Sequence, residues 1–324
     1  MPTQKNTGWP AAFRRHAGAV MTDSFFKGLS RVGRLHPSAR PERHDVEVLR
    51  DVAYTDSGRP EHRLDVYRPL AVSRGELSDV PVVLYVHGGS FRILSKDSHW
   101  MMGLAYARRG YVVFNISYRL APRHRFPAAI EDACAAYEWV VNNAARFGGD
   151  LDRMVLAGES AGGNLVTSLA IAASYRRDEP WARRVFDANV RARAVVAACG
   201  MLEVTNGERF RRRWPHMSGF IQDRIVEVGD AYVGERDLPA FFIPCGTKDP
   251  LIDDAQRLAA ALDVLGVEHE ARYYAGEPHA FHALVVTKNA LRCWKHTYQF
   301  LDRYVGPAPF ERHFRASFWR PSQE

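Results

Sequence analysis

Gly158-Glu159-Ser160-Ala161-Gly162 follows the apolar run Met154-Val155-Leu156-Ala157 and opens a helix-like segment from Gly163 to Tyr175. A G-x-S-x-G stretch at a strand-to-helix junction is the signature of a nucleophile elbow. The turn is so sharp that a Cβ on either side of the serine would strike the adjoining strand or helix, so small residues flank it. The strained backbone puts the serine Oγ at the carboxyl edge of a sheet. A helix N-terminus behind it favours developing negative charge. Alone, the pentapeptide also fits an ordinary tight turn, so its surroundings decide the reading.

Upstream, the apolar run Val80 to Val86 ends in His87-Gly88-Gly89-Ser90-Phe91. Glycines after a strand let backbone N–H groups converge on one point, which acyl transfer needs for its oxyanion. Downstream, Ala240-Phe241-Phe242-Ile243-Pro244-Cys245 reads as a buried strand and leads into Gly246-Thr247-Lys248-Asp249-Pro250-Leu251. A further run, Ala271-Arg272-Tyr273-Tyr274, leads into Gly276-Glu277-Pro278-His279-Ala280-Phe281. The order Ser160, Asp249, His279 is that of α/β-hydrolases and differs from the orders of the chymotrypsin and subtilisin folds. Each group sits just past a predicted strand, where the carboxyl edge of a parallel sheet collects ligands.

The motifs His87-Gly88-Gly89, Tyr118-Arg119-Leu120-Ala121-Pro122, Gly158 to Asn164, Asp249-Pro250-Leu251 and His279-Ala280-Phe281 together resemble the hormone-sensitive-lipase-like esterases. The likeness runs from about Val46 to Tyr304. Two positions depart from that family's pattern: Ser90 stands where a third glycine is usual, and Glu159 where Asp is more common. The resemblance implies an α/β-hydrolase fold, a mostly parallel central sheet flanked by helices under a helical cap. It also implies hydrolysis of carboxylic esters with short to medium acyl chains, with no metal or organic cofactor.

In this reading Ser160 Oγ attacks the acyl carbon, His279 takes its proton, and Asp249 holds the imidazole. Backbone N–H groups of Gly88, Gly89 and Ala161 cradle the oxyanion, with Ser90 N–H as a further donor. His87 supports the loop by hydrogen bonding. His282 competes with His279 for the role of base, and the H-x-F pattern favours His279. Asp253 and Asp254 read as carboxylates at a helix N-terminus. Glu159 either braces the oxyanion loop or pairs with Arg119. Phe91 reads as a packing residue. An amidase or deacetylase would use the same triad. A non-catalytic ligand receptor, as in the plant gibberellin receptors similar to this family, lacks the catalytic histidine, and His279 argues against it.

The 324 residues, 46% of them hydrophobic, suffice for one large domain. No apolar run reaches bilayer-spanning length, and no apolar stretch follows Met1 to Asn6 as a secretory signal would. Cys134, Cys199, Cys245 and Cys293 are scattered, without a C-x-x-C, and read as reduced core thiols of a cytoplasmic protein with no metal site. The net charge of +7 is almost all arginine. Solvated faces explain it more simply than a nucleic-acid partner. A small-molecule ester is the expected partner, and a homodimer is left open.

After Val46 the pattern alternates strands and helices. An antiparallel pair, Asp45 to Tyr54 and Arg63 to Tyr67, opens it. A helix capped by Asp97 or Ser98 runs to Arg109, a strand spans Tyr111 to Ser117, and a helix with Pro127 in its first turn reaches Phe147. Later come a strand over Ala192 to Cys199, a helix through Ala255 to Leu265, and a last helix from about Leu284 to Tyr304. Residues 42–324 thus form the catalytic domain. Two segments break the alternation, 1–41 and an insertion at about 205–237, and the resemblance makes both parts of the cap. The tail 306–324 either packs on the surface or joins an interface.

Overall fold

The computed structural model describes residues 30–204, 237–285 and 287–310, together with Ser24 and Gly28. Most of 1–41, nearly all of 205–237 and the end of the tail lie outside the described residues, and so does most of the expected cap.

Eight strands form one sheet: β1 (Val46–Ala53), β2 (Arg63–Pro69), β3 (Val80–Val86), β4 (Val112–Ile116), β5 (Gly149–Glu159), β6 (Ala194–Ala198), β7 (Ala240–Gly246) and β8 (His269–Tyr274). Their spatial order is β1-β2-β4-β3-β5-β6-β7-β8. β2 pairs antiparallel with β1 and β4, and every later pairing is parallel. From β3 the chain steps to β4 on one side and then crosses to β5 on the other. That reversal is the topological switch point, where loops part and leave a crevice. The Gly88-Gly89 loop and the Ser160 elbow leave the sheet on either side of it.

The central strands read as unbroken apolar runs because both faces are covered. Val82, Leu84 and Val86 pack with α2 (Ala128–Asn143), α3 (Ala161–Ser174), α4 (Pro180–Asp187) and α5 (Ile252–Val264). Val83 and Tyr85 point the other way, into a second core with Trp100 to Ala107 of α1 (Trp100–Ala107) and Trp294, Tyr298, Phe300 and Leu301 of α6 (Lys288–Tyr304). Period-two alternation assigns each strand residue to one of the two cores. The outer strand β8, by contrast, carries His269 and Glu270 half-buried and Arg272 exposed, and charges on an edge discourage further pairing.

The expected strands all appear within a few residues of their predicted bounds. Helix ends moved more. The cap of α1 is His99, not Asp97 or Ser98, because Ser98 Oγ donates to Ser95 O at 2.7 Å and Asp97 faces Arg34 and Lys96. Pro127 is the cap residue of α2, which stops at Asn143, with a 3₁₀ turn filling Ala144–Phe147. α6 begins at Lys288, where Thr287 accepts from Ala290 N–H as a side-chain cap. α4 was not anticipated. Pro180 sits in its first turn, and Trp181, Ala182, Val185 and Phe186 form a buried stripe. Among the described residues, no helix is long and apolar enough to cross a membrane.

The described end of the leading segment docks beside the site. Ser30 Oγ and an Arg34 Nη donate to Asp97 O at 3.2 and 2.5 Å, and the Arg34 guanidinium lies 5.9 Å from the Trp100 ring centroid. At the other terminus, Arg153 donates to Val305 O and Pro307 O at 2.8 and 2.9 Å, so the described start of the tail packs on the domain surface.

Candidate active site

Ser160 caps α3 with φ 54° and ψ −118°, and its side chain makes no capping bond. A non-glycine residue at positive φ costs on the order of 1–3 kcal/mol, held here by the surrounding packing. The elbow shows why its flanks are glycine. A Cβ on Gly158 would lie 2.5 Å from Gly162 O, and one on Gly162 would lie 2.0 Å from Val86 O. Ser160 N–H donates to Ala198 O at 2.9 Å, and Ser160 O accepts from Met201 N–H at 2.9 Å, which pins the elbow against the end of β6.

The loop after β3 closes on the same point. A Cβ on Gly88 would sit 3.2 Å from Ser160 Cβ. Gly89 has φ +114°, and a Cβ there would lie 2.1 Å from Ile93 O. The loop folds back through Arg92 and Ile93 N–H, both donating to Gly89 O. The N–H groups of Gly88, Gly89 and Ala161 have no hydrogen-bond acceptor among the described residues. Ser90 follows at φ 53°, so its serine side chain is carried in a conformation where glycine is cheaper. His87 is fully buried, stacks on Tyr118 with centroids 4.2 Å apart, and its Nδ1–H donates to Gly88 O at 2.6 Å. Tyr118 OH donates to His87 O at 2.9 Å, and Ala121 N–H to Phe91 O at 2.8 Å, so the Tyr118–Pro122 turn and the buried Phe91 hold this loop.

The loops after β7 and β8 are stitched together. Thr247 N–H donates to Tyr274 O, Lys248 N–H to Glu277 O, and Gly276 N–H to Thr247 Oγ1. This brings His279 Nδ1 to 2.8 Å from Asp249 Oδ2, while Asp249 Oδ1 accepts from Leu251 N–H at 2.8 Å. Asp249 is buried and His279 is partly open, its side chain 26% exposed. Burial opposes the imidazolium, but the adjacent Cys199 sulfur and the Asp249 carboxylate outweigh it and hold His279 well above its ordinary value.

His282 is elsewhere. Its Nε2 lies 2.7 Å from Glu159 Oε2, and the Trp294 indole N–H donates to His282 O at 3.0 Å. The other Glu159 oxygen, Oε1, lies 2.5 Å from His99 Nε2. Burial raises the Glu159 carboxyl, yet the two imidazoles prevail and hold it well below the usual carboxylate range. The alternative pairing of Glu159 with Arg119 is therefore incorrect. Arg119 instead grips Asp132 at 2.7–2.9 Å and Glu131 at 2.9 Å, because its side chain turns toward α2. Asp253 and Asp254 do lie in the first turn of α5, but Asp254 is buried and accepts from Leu202 and Glu203 N–H at 2.8 and 3.1 Å.

His99 escaped sequence reasoning because it belongs to no motif and stands 60 positions from its carboxylate. Its loop is fixed by Asn115 Nδ2, which donates to Lys96 O at 3.0 Å, and by Lys96 N–H on Ser117 Oγ at 3.1 Å. Cys199 was read only as a core thiol. It directly follows β6 with φ 39°, its N–H donates to Pro244 O, and its sulfur meets His279.

A family model described as alpha/beta hydrolase fold matches residues 83–283. Carboxylesterase NlhH of Mycobacterium tuberculosis is 31% identical over 291 residues, spanning 86% of this chain and 85% of the relative. An ethyl acetate hydrolase of Pseudomonas putida is 31% identical over 208 residues, spanning 61% and 65%. Among solved structures, esterase LipW of Mycobacterium marinum superposes with a TM-score of 0.67 at 26% identity, covering 90% of each chain.

Proposed function

The chain belongs to the α/β-hydrolase family, in its hormone-sensitive-lipase-like branch, and from that premise we propose that it is a carboxylesterase acting through an acyl-enzyme at Ser160. The observation that carries this reading is the 2.8 Å contact of Asp249 Oδ2 with His279 Nδ1, on loops that close beside the strained Ser160 elbow.

His279 accepts the Ser160 hydroxyl proton as Oγ adds to the ester carbonyl. The resulting oxyanion is met by the N–H groups of Gly88, Gly89 and Ala161, with Ser90 N–H as a further donor. Collapse breaks the ester C–O bond, and His279 returns its proton to the leaving alcohol. A water molecule then gives a proton to His279 and adds to the acyl-enzyme, releasing the carboxylic acid and restoring Ser160. Asp249 keeps the imidazole in the tautomer with its proton on Nδ1 and stabilises the cation formed in each half-reaction. His87 and Glu159 position the two loops and do no chemistry.

Short to medium acyl chains are the proposed substrates, in keeping with the ethyl acetate hydrolase among the relatives. Segments 1–41 and 205–237 are proposed to cap the site, supported by the docking of Ser30 and Arg34 on the loop that precedes His99. Deleting residues 1–29 should change the ratio of p-nitrophenyl acetate to p-nitrophenyl octanoate turnover, and an unaltered ratio would remove that assignment. Four buried cysteines, all free, suit a reducing compartment, and the cytoplasm is proposed on that ground. Cell fractionation would test it. The catalytic assignment is tested by a fluorophosphonate probe, which should label the wild type and leave Ser160→Ala unlabelled. Labelling of the variant would refute the nucleophile.

A further inference from the structure

We propose that Cys199, Asp249 and His279 form a binding site for a thiophilic divalent cation of the zinc type, and that the ion shuts the hydrolase off. A thiol sulfur, a carboxylate oxygen and an imidazole nitrogen from these three residues all lie within 4.8 Å of one another. Zinc bond lengths of about 2.0–2.3 Å put the donors of a tetrahedral site about 3.3–3.6 Å apart. Closing the wider separations and opening the 2.8 Å His279–Asp249 contact are sub-ångström to ångström adjustments.

Charge favours the same ion. A thiolate, a carboxylate and a neutral imidazole sum to two negative charges, so a divalent cation leaves a neutral centre in a place where bare charge is costly. Thiolate and imidazole select zinc or cadmium over magnesium or calcium. On binding, any proton on the thiol and on the ligating nitrogen passes to solvent. Three protein ligands leave a fourth position for water. Asp249 and Cys199 are buried, and the ion enters past His279, the partly exposed member. A metal-held imidazole can no longer exchange protons with Ser160, which makes the ion an inhibitor. Cys245 also approaches Asp249 but stands outside the three-donor group, and it supplies the control.

The test uses full-length protein stripped with EDTA and titrated with zinc, cadmium and magnesium chlorides. Turnover of p-nitrophenyl acetate and the cadmium–thiolate charge-transfer absorbance are both followed. Zinc and cadmium should inhibit with one ion bound per chain, EDTA should restore turnover, and magnesium should have no effect. Each variant is compared with its own metal-free rate. Even outer-shell partners of metal ligands cost about 10–100-fold in affinity when removed. Cys199→Ala should therefore raise the half-inhibitory zinc concentration by about tenfold or more and abolish the cadmium band, whereas Cys245→Ala, which removes only a neighbour of Asp249, should leave the cadmium band in place. Cys199→Ser serves if the alanine variant does not fold. Ser160→Ala should keep the band without turnover, which separates failure of this site from failure of the esterase reading. Wild type unaffected by millimolar zinc, undiminished inhibition of Cys199→Ala, or a band that follows Cys245 would overturn the proposal.

Discussion

Two carboxylate–imidazole assemblies lie near the Ser160 elbow, and they differ in exposure. Glu159 is the chain neighbour of Ser160, and Asp249–His279 lies near it through Cys199, which follows the Ala198 whose carbonyl accepts Ser160 N–H. Asp249 meets a single histidine, His279, whose side chain is 26% exposed. Glu159 lies between two, His99 and His282, and all three side chains are 7–9% exposed. The first pair leaves its imidazole partly open to solvent, with Asp249 and Cys199 as its neighbours. In the second, each imidazole Nε2 is turned inward to a carboxylate oxygen. An imidazole partly open to solvent suits the proposed proton transfer, and a cluster of the same groups closed off from solvent suits scaffolding.

The comparison breaks most sharply at the histidines. His279→Ala should lower kcat/KM for p-nitrophenyl acetate by about 10⁴–10⁶-fold with the thermal midpoint little changed. His282→Ala should instead show its main effect in the midpoint. If His282→Ala were the variant that lost turnover at full stability, the roles would be reversed. Next comes the oxyanion side. Gly89→Ala places a Cβ 2.1 Å from Ile93 O at a positive φ, so the loop must move. Losing one donor predicts about 10²–10³-fold in kcat; an unchanged kcat would show that Gly89 N–H takes no part.

The carboxylates sharpen the contrast through pH. Glu159 has a folded-state pKa below the 4.5 of the free side chain. Its stabilisation is therefore complete above that value and fades as pH falls through the lower, folded-state value. Glu159→Gln should cost about 3 kcal/mol near neutrality, as removal of one partner from a buried pair does. The gap to wild type in urea unfolding should narrow as pH drops below 4.5. A gap independent of pH would count against an ionised Glu159. The smallest effect belongs to Tyr118→Phe, which removes the hydrogen bond to His87 O. It should cost about 1 kcal/mol of stability and lower kcat only modestly; a loss as large as that of Gly89→Ala would make Tyr118 part of the oxyanion machinery.

The sheet was legible because buried parallel strands announce themselves as apolar runs ended by glycine, as Val80–Val86 and Ala240–Gly246 do. Ser160, Asp249 and His279 could be singled out as candidates because each comes at or shortly after the carboxyl end of a strand, β5, β7 and β8. What could not be read was partnership across the fold. Nothing near Arg119 in sequence distinguishes Glu159 from Asp132 as its mate. The choice depends on α2 lying under the Tyr118–Pro122 turn. His99 and Cys199 were missed for a related reason: a lone histidine before a helix and a cysteine ending an apolar strand look like core residues until the sheet brings distant loop ends together. The small shift of the α1 cap to His99 has a local cause, since Ser98 spends its hydroxyl on Ser95 O.

The anchoring of the histidine loop by the last helix has a consequence for the order in which the site is built. The Trp294 indole holds His282 O, and Tyr298 OH reaches back to Ala105 O at 2.9 Å. Along the direction of synthesis the Gly88-Gly89 loop emerges first, then Ser160, then Asp249, and His279, the proposed base, follows. Its clamp is not complete until α6 has also left the ribosome. A nascent chain therefore carries an armed-looking serine long before it carries an anchored base.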